Sequence, residues 1–314
     1  MEQQIENLFD DEILNAVYSR RDEWAENDRI RDDGLTPPEG VTKIVDITYT
    51  ASLTDKEAVW HTLDIYYPAE KADNYPVIVS VHGGGWFYGT KELYQPYCMH
   101  LASLGFAVVN FNYRRSPEYR YPAAFLDVCG VMDFVYKNSN KYHLDLSKLF
   151  MVGDSAGAQL ASQYCIYATS EAYRKLFSQI TTSLQHDMSG YTNPIPKGVA
   201  LNCGIYHMWD ILDQDITKWY LPNTDDPLLL QSFTNILEYL NGNFPPTYLM
   251  VSTNDPLALH TAPMKKCLDE HRIFTVYKEF GQDNPADGHV FHLNLRSENG
   301  KKCNQEECEF FRNL

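Results

Sequence analysis

Short apolar runs of strand length alternate with stretches of helical periodicity along most of this chain. The strand-like runs lie at 43–50, 60–67, 76–81, 107–112, 149–152, 198–202, 247–252 and 273–279. Helical spacing of apolar residues occupies 121–139, 156–168 and 259–271. Because strands that alternate with crossover helices form parallel sheets, the pattern predicts an α/β fold. We expect a mostly parallel sheet of eight strands, flanked by helices.

Composition excludes several classes of protein. The chain is 44% hydrophobic and 22% charged, as expected of a protein that buries a large core. Its 42 acidic and 26 basic side chains give a net charge of −16, which repels a phosphate backbone or an anionic membrane surface. No apolar run approaches the roughly 18 residues that span a bilayer, and the acidic N terminus lacks the pattern of a secretory signal. We therefore expect a cytoplasmic protein that binds neither nucleic acid nor membrane.

The seven cysteines predict no metal site and no disulfide framework. They are odd in number, scattered through apolar segments and without a C-x-x-C pair. Cys303 and Cys308 are the one close pair, and the tail around them supplies no obvious further ligands. We expect reduced, mostly buried thiols.

Three parts of the chain depart from the strand–helix alternation. Residues 5–17 have helical spacing among acidic residues, and the sequence TPPEG at 36–40 ends that pattern. The other two are 170–196, which ends in polar residues, and 205–245, which is rich in Tyr, Trp, Leu and Pro. We therefore predict cap helices in 1–40 and a main domain over 41–314, with cap insertions near 170–196 and 205–245.

Ser155 is the predicted nucleophile. It lies at the centre of the sequence GDSAG, between the strand at 149–152 and the helix at 156–168. In this context a G-x-S-x-G motif forms a strained turn that exposes the serine hydroxyl, and the glycines permit the tight backbone. The motif alone is weak, so its position between strand and helix carries the prediction.

A glycine-rich sequence, HGGGW, follows directly after the strand at 76–81. Successive glycines are costly to order unless the backbone requires them. We predict that the N–H groups of Gly83, Gly84 and Ala156 stabilise the oxyanion that forms when a carbonyl is attacked. The alternatives are a turn that merely lets two segments pass closely and a phosphate cradle, although no Walker lysine or G-x-G-x-x-G spacing is present.

His289 is the predicted general base, and Asp255 is the acid predicted to orient it. His289 lies on a loop after the last strand, and Asp255 follows the strand at 247–252, so the chain order is Ser, Asp, His. His292 is the alternative base. Asp283 and Asp287 are the alternative acids, although they lie on the histidine's own loop, where acids are more often solvated turn residues.

These motifs together resemble the hormone-sensitive lipase family of α/β-hydrolases. HGGGW, GDSAG, the sequence DPL at 255–257 and a late histidine occur here in the family's order, and the resemblance covers roughly residues 60–295. It implies an α/β-hydrolase fold and a serine carboxylesterase that uses Ser155, Asp255 and His289 and needs no metal or organic cofactor. Ala158 and the sequence AL at 258–259 depart from the family's usual pattern, which affects the subfamily and not the catalytic residues.

Members of this family typically build a cap from N-terminal helices and an insertion after the elbow helix. By resemblance, 1–40 and 205–245 cover the substrate site. Trp86, Phe87, Tyr206 and Trp209 are predicted to line the pocket. Core packing is the alternative for each of these aromatic side chains.

The function that the resemblance implies is hydrolysis of carboxylic esters with short to medium acyl chains, among which acetylated or feruloylated sugars are candidate substrates. The same triad also cleaves amides, as in a formamidase or a peptidase. A ligand-binding protein on this fold is the alternative from another class. Gibberellin receptors resemble the family but have lost a catalytic member, whereas all three predicted residues are present here. The sequence leaves open whether the protein is a homo-oligomer.

Overall fold

The computed structural model describes residues 11–51, 54–222 and 226–314, with side chains from residue 12 onward. The helices are α1 (Asp11–Asp32), α2 (Asp55–Ala58), α3 (Gln95–Ser103), α4 (Ala123–Asn138), α5 (Ala156–Thr169), α6 (Glu171–Ser183), α7 (Asp215–Tyr220), α8 (Pro227–Thr234), α9 (Thr261–Glu270) and α10 (Glu298–Arg312). The strands are β1 (Thr42–Thr48), β2 (Thr62–Tyr67), β3 (Tyr75–Val81), β4 (Ala107–Phe111), β5 (Leu144–Asp154), β6 (Gly198–Asn202), β7 (Thr247–Ser252) and β8 (Thr275–Phe280).

All eight strands form one sheet in the order β1-β2-β4-β3-β5-β6-β7-β8. β2 pairs antiparallel with both β1 and β4, and every pairing from β4 to β8 is parallel. The predicted α/β-hydrolase fold with a mostly parallel eight-stranded sheet is therefore confirmed. β5 begins at Leu144, earlier than the predicted 149, because the polar residues Asp145, Ser147 and Lys148 interrupt the apolar sequence there.

The central strands are buried on both faces, which explains their continuous apolar sequences. In β3, Val77 and Val79 belong to one core cluster while Ile78 belongs to the other. Leu149 and Phe150 of β5 divide between the two clusters in the same way. α4, α5 and α6 cover the first face, and α3 and α10 cover the second.

α1 is longer and more polar than predicted. Part of the predicted helix at 5–17 lies outside the described residues, but the described helix continues to Asp32. Val17 is its one fully buried side chain among those described. Residues 18–32 were not recognised because most of them are polar or charged, so hydrophobic periodicity gave no signal there.

The two predicted insertions pack on the same face of the sheet as α5. The stretch 170–196 contains α6, and 205–245 contains α7, α8 and two turns of 3₁₀ helix at Met208–Ile211 and Ile236–Tyr239. Tyr220 and Phe233 from the second stretch pack against Trp86 of the HGGGW segment. The division into cap and main domain remains a prediction.

The cysteines and the helices add two further observations. All seven cysteines are free thiols, six of them buried and Cys267 partly buried. Across the ranges that the structure describes, every helix is too short or too polar to cross a bilayer.

Candidate active site

Ser155 occupies a strained turn between β5 and α5. Its backbone has φ 51° and ψ −120°, a conformation that L-residues rarely adopt. Its N–H donates to the carbonyl of Asn202 at the end of β6, over 2.9 Å. A Cβ at Gly157 would collide with the carbonyls of Val81 and His82, and one at Gly153 would collide with Gly157. Both glycines of the motif are therefore required for the turn to form against β3.

The structure brings the three predicted catalytic residues together. The Ser155 hydroxyl lies 3.0 Å from Nε2 of His289, and Nδ1 of His289 lies 2.8 Å from Oδ2 of Asp255. The other oxygen of Asp255, Oδ1, accepts the N–H of Leu257 over 2.7 Å. The Asp255 side chain is fully buried, whereas that of His289 is 30% exposed. The imidazole can therefore take a proton from the serine on one side while the carboxylate holds it on the other.

The alternative residues are placed elsewhere. His292 is completely buried in the 3₁₀ turn Phe291–Leu293, where its ring packs edge-on against Tyr97. The Asp287 carboxylate accepts hydrogen bonds from the side chains of Asn284, Ser297 and Asn299. Asp283 is exposed. Asp255 is therefore the acid that contacts His289.

The HGGGW loop is tied to the nucleophile turn by a tyrosine. The N–H of Gly83 donates to Oη of Tyr94 over 2.9 Å, and the Tyr94 hydroxyl donates to Oδ2 of Asp154 over 2.8 Å. Gly83 was predicted as an oxyanion donor, but its N–H already donates to the hydroxyl of Tyr94. The N–H groups of Gly84 and Ala156 have no hydrogen-bond partner within the described residues, so two of the three predicted donors are available.

Sequence reasoning missed the roles of Tyr94 and Asp154. Both side chains line the cavity beside Ser155. Burial raises the pKa of the Asp154 carboxyl to about 7, although the hydrogen bond from Tyr94 acts in the opposite direction. Asp154 lies inside the GDSAG motif and could have been singled out, whereas no local pattern links Tyr94 to Gly83.

A cavity of about 160 Å³ opens directly beside Ser155 and His289. α1 forms one wall of this cavity with Trp24, Asn27, Asp28 and Arg31. The rest of the wall includes Gly84 and Tyr88 from the glycine-rich loop and Val290 and Leu293 from the segment after His289. The polar helix α1 is therefore part of the site.

The four aromatic residues predicted to line the pocket do not line this cavity. Trp86 is buried, donates from Nε1 to Oε1 of Gln159 and stacks on Tyr220. Phe87 is buried between the rings of Trp24 and Trp219. The positive φ of Trp86 belongs to a turn that leaves both side chains in the core.

Tyr206 is also buried, and Trp209 is on the surface. The Tyr206 side chain belongs to the core cluster that contains α5. Trp209 is 55% exposed, and its Nε1 donates to Asn235. Packing therefore explains the positions of Trp86, Phe87 and Tyr206 better than substrate binding does, and Trp209 lies on the surface outside the cavity.

Cys203 lies beside the Asp255–His289 pair. Its Sγ, a carboxylate oxygen of Asp255 and a ring nitrogen of His289 lie within 4.8 Å of one another, a set of donors that could hold a metal ion. A metal there would have to separate the 2.8 Å hydrogen bond between the acid and the histidine. Burial also raises the pKa of the thiol, which disfavours the thiolate that a metal requires. The arrangement fits a triad better than a metal centre.

Comparison with known proteins places the chain in a family. Residues 63–262, more than half of the chain, match the family model BD-FAE. The chain belongs to the BD-FAE family. The BD-FAE region contains Ser155 and Asp255 and ends before His289, and α1 lies outside it.

Individual curated proteins are also similar to this chain. Carboxylesterase NlhH from Mycobacterium tuberculosis (strain CDC 1551 / Oshkosh) is 27% identical over 205 residues, which cover 62% of this chain and 60% of that protein. Gibberellin receptor GID1B from Arabidopsis thaliana is 31% identical over 177 residues, covering 52% and 46%. The chain thus spans less than two thirds of the length of these curated relatives.

A crystal structure of Esterase B from Lactobacillus rhamnosis matches over almost the whole chain. The TM-score is 0.82 at 25% identity, and the match covers 96% of each chain. The predicted resemblance to the hormone-sensitive lipase family of α/β-hydrolases is confirmed for this BD-FAE protein by these relatives.

Proposed function

We propose that this protein is a serine carboxylesterase in which Ser155 is the nucleophile, His289 the general base and Asp255 the orienting acid. The observation that carries the proposal is the continuous hydrogen-bonded chain from the Ser155 hydroxyl through His289 to Asp255. Relatives named carboxylesterase or esterase support ester cleavage as the reaction.

The reaction proceeds in two halves. As the Ser155 hydroxyl attacks the ester carbonyl, Nε2 of His289 takes its proton, and Asp255 stabilises the resulting imidazolium. The same nitrogen then donates that proton to the leaving alcohol, and an acyl-enzyme remains. In the second half, His289 removes a proton from water, which releases the acid and restores Ser155.

The backbone N–H groups of Gly84 and Ala156 are the proposed donors to the oxyanion. Both are without a partner inside the described part of the chain; Gly84 lies in the loop after β3, and Ala156 begins α5 after the neighbouring strand β5. A preorganised donor of this kind contributes on the order of 10²–10³ in rate.

The substrates that we propose are esters of short to medium acyl chains, with acetylated or feruloylated sugars as candidate natural substrates. The acyl group and the alcohol share the cavity beside Ser155, so its small volume supports the shorter acyl groups. At about 160 Å³, it is close to the roughly 150 Å³ of an engineered cavity that holds benzene. We therefore expect acetate and butyrate esters to be cleaved faster than octanoate esters.

The test is hydrolysis of p-nitrophenyl acetate, butyrate and octanoate by the wild type and by Ser155→Ala. We expect Ser155→Ala to lose at least about 10³-fold in kcat, and a fluorophosphonate probe to label the wild type at Ser155, as located by mass spectrometry. Ser178→Ala, which changes an exposed serine on α6, is the matched control and should keep both activity and labelling.

Two results would contradict the proposal. Activity that survives Ser155→Ala would remove Ser155 as the nucleophile. A wild type that is inert towards all esters, but cleaves p-nitroacetanilide or binds a small ligand without turnover, would favour the amide hydrolase or the ligand-binding protein.

A further inference from the structure

One face of α1 forms a polar wall of the catalytic cavity. Trp24, Asn27, Asp28 and Arg31 follow the spacing i, i+3, i+4, i+7, which places them on the same side of the helix. All four line the cavity that contains Ser155 and His289. The opposite face, with residues such as Asp22 and Glu26, is exposed.

This wall has unused hydrogen-bonding capacity. Arg31 donates from Nε and Nη2 to Asp32 and from Nη1 to Oδ1 of Asp28, which uses three of its five N–H groups. Oδ2 of Asp28 accepts the hydroxyl of Tyr88, and each carboxylate oxygen keeps another lone pair. The Asn27 amide makes no hydrogen bond to any described residue. The wall therefore offers both donors and acceptors to a ligand.

The wall and His289 line the same cavity. The leaving oxygen must reach Nε2 of His289 to receive its proton. Arg296, which follows His289 in the chain, donates from Nη1 to the carbonyls of Ile30 and Arg31 and holds the end of α1 against this segment. Val290 and Leu293 of the same segment line the cavity. A group attached to the leaving oxygen at His289 therefore lies in the cavity that α1 lines.

We infer that this face of α1 is a binding subsite for a polyhydroxylated alcohol, the leaving group of the ester that the proposed function cleaves. Hydroxyl groups donate and accept, and so they match a wall that does both. A hydrocarbon alcohol would displace water from Asn27, Asp28 and Arg31 and leave their remaining donors and acceptors without partners. An anionic alcohol is disfavoured, because Asp28 and Asp154 face the same cavity as the single guanidinium of Arg31.

Matched pairs of esters test this inference. Glycerol 1-acetate and propyl acetate share a three-carbon alcohol and differ in two hydroxyls. 6-O-acetylglucose and cyclohexylmethyl acetate make the same comparison for a sugar ring. We expect the hydroxylated member of at least one pair to have a kcat/KM at least about 10-fold higher in the wild type, since each hydrogen bond contributes roughly 2- to 10-fold. The pair that shows the preference identifies glycerol or a sugar as the alcohol.

Two variants test whether the wall causes the preference for hydroxylated esters. Asn27→Ala removes an amide that makes no bond to the described protein, and Asp28→Asn removes a charge at nearly constant shape. We expect each to lower the ratio of kcat/KM within the preferred pair by about 5-fold or more. Asp22→Asn on the exposed face is the control and should keep the wild-type ratio. Thermal unfolding of each variant verifies that α1 is still folded.

The outcomes separate this inference from the proposed function. An active wild type with equal kcat/KM for both members of both pairs would overturn the inference and leave the esterase in place. A preference that persists in Asn27→Ala and Asp28→Asn would also overturn it. A wild type that cleaves no ester, including p-nitrophenyl acetate, would overturn the proposed function and the inference with it.

Discussion

The nucleophile turn and helix α1 both face the catalytic cavity, but they are held in place differently. Ser155 is fixed by backbone contacts: its N–H bonds Asn202, and Gly157 packs so closely on β3 that no side chain fits. α1 buries Val17 completely and attaches through side chains that are partly exposed. Changes at the turn should therefore affect the rate and the fold, whereas changes in α1 should affect mainly substrate binding.

Arg21 attaches α1 to the glycine-rich loop and to the segment that contains Ser116 and Glu118. Its Nε donates to the carbonyl of Phe87 and its Nη2 to the carbonyl of Ser116, while Nη1 and Nη2 form an ion pair with Glu118. Trp24 also packs against the ring of Phe87. α1 is thus attached to the loop that carries Gly84, one of the two proposed oxyanion donors, and a comparison of variants can show how strongly α1 and the catalytic residues are coupled.

The largest effect is expected at the triad. Asp255→Asn should lower kcat by about 10⁴-fold with little change in stability, because an amide can stabilise the wrong tautomer of His289. Steady-state kinetics with p-nitrophenyl acetate measure it. Asp283→Asn, an exposed acid on the histidine's loop, is the control and should retain wild-type kcat. Near-normal activity of Asp255→Asn would remove Asp255 from the mechanism.

The second prediction concerns the support beneath the turn. Glu307 on α10 is buried and accepts hydrogen bonds from Tyr97 and from the side chain of Asn202, whose carbonyl holds Ser155. Burial raises the pKa of Glu307 from 4.5 to about 7. The folded state therefore binds this proton more tightly than the unfolded state, and stability should fall as the pH rises from about 4.5 to 7.

Glu307→Gln should remove this part of the pH dependence. The shift corresponds to about 3 kcal/mol in the free energy of unfolding, and urea denaturation at about pH 5 and pH 8 measures it. Asp154, whose pKa is also raised by burial, should contribute a decline that remains in the variant. Glu309→Gln on the exposed side of α10 is the control. An unchanged slope in Glu307→Gln would mean that Glu307 is ionised throughout this range.

A smaller effect is expected at Tyr94. Tyr94→Phe removes the hydroxyl that joins Gly83 to Asp154, so the glycine-rich loop should be less well positioned. We expect kcat to fall by about 10-fold, less than for the loss of an oxyanion donor itself, while KM changes little. Tyr136→Phe, an exposed tyrosine, is the control. A change in KM alone would show that Tyr94 acts on binding instead.

The smallest effect is expected for the attachment of α1. Arg21→Met keeps a long side chain but removes the bonds to Phe87, Ser116 and Glu118. Because partly exposed contacts of this kind contribute little to the free energy of folding, we expect KM to rise by about 3- to 10-fold and kcat to stay near the wild-type value. Arg20→Met, an exposed neighbour, should behave as wild type. A large loss of kcat would mean that α1 also fixes the oxyanion loop.

The sequence by itself determined the sheet, the nucleophile turn and the three triad residues. Buried parallel strands have continuous apolar sequences, and a turn as tight as that at Ser155 requires glycines at defined positions. Both are local requirements, so they leave a pattern that can be recognised without the fold. Asp255 and His289 were predictable because each follows a strand, and parallel strands bring their carboxyl ends to one edge of the sheet.

Only the tertiary structure decided which other side chains reach the site. Tyr94 accepts the hydrogen bond of the Gly83 N–H. The side chains of Trp86 and Phe87 are buried in the core, and the second half of α1 lines the cavity in their place. Each outcome depends on contacts between segments that are distant in the chain. Polar side chains that dock through such long-range hydrogen bonds have no period along the sequence. For that physical reason the side chains by which α1 lines the cavity were not predictable, although the family resemblance placed 1–40 over the site.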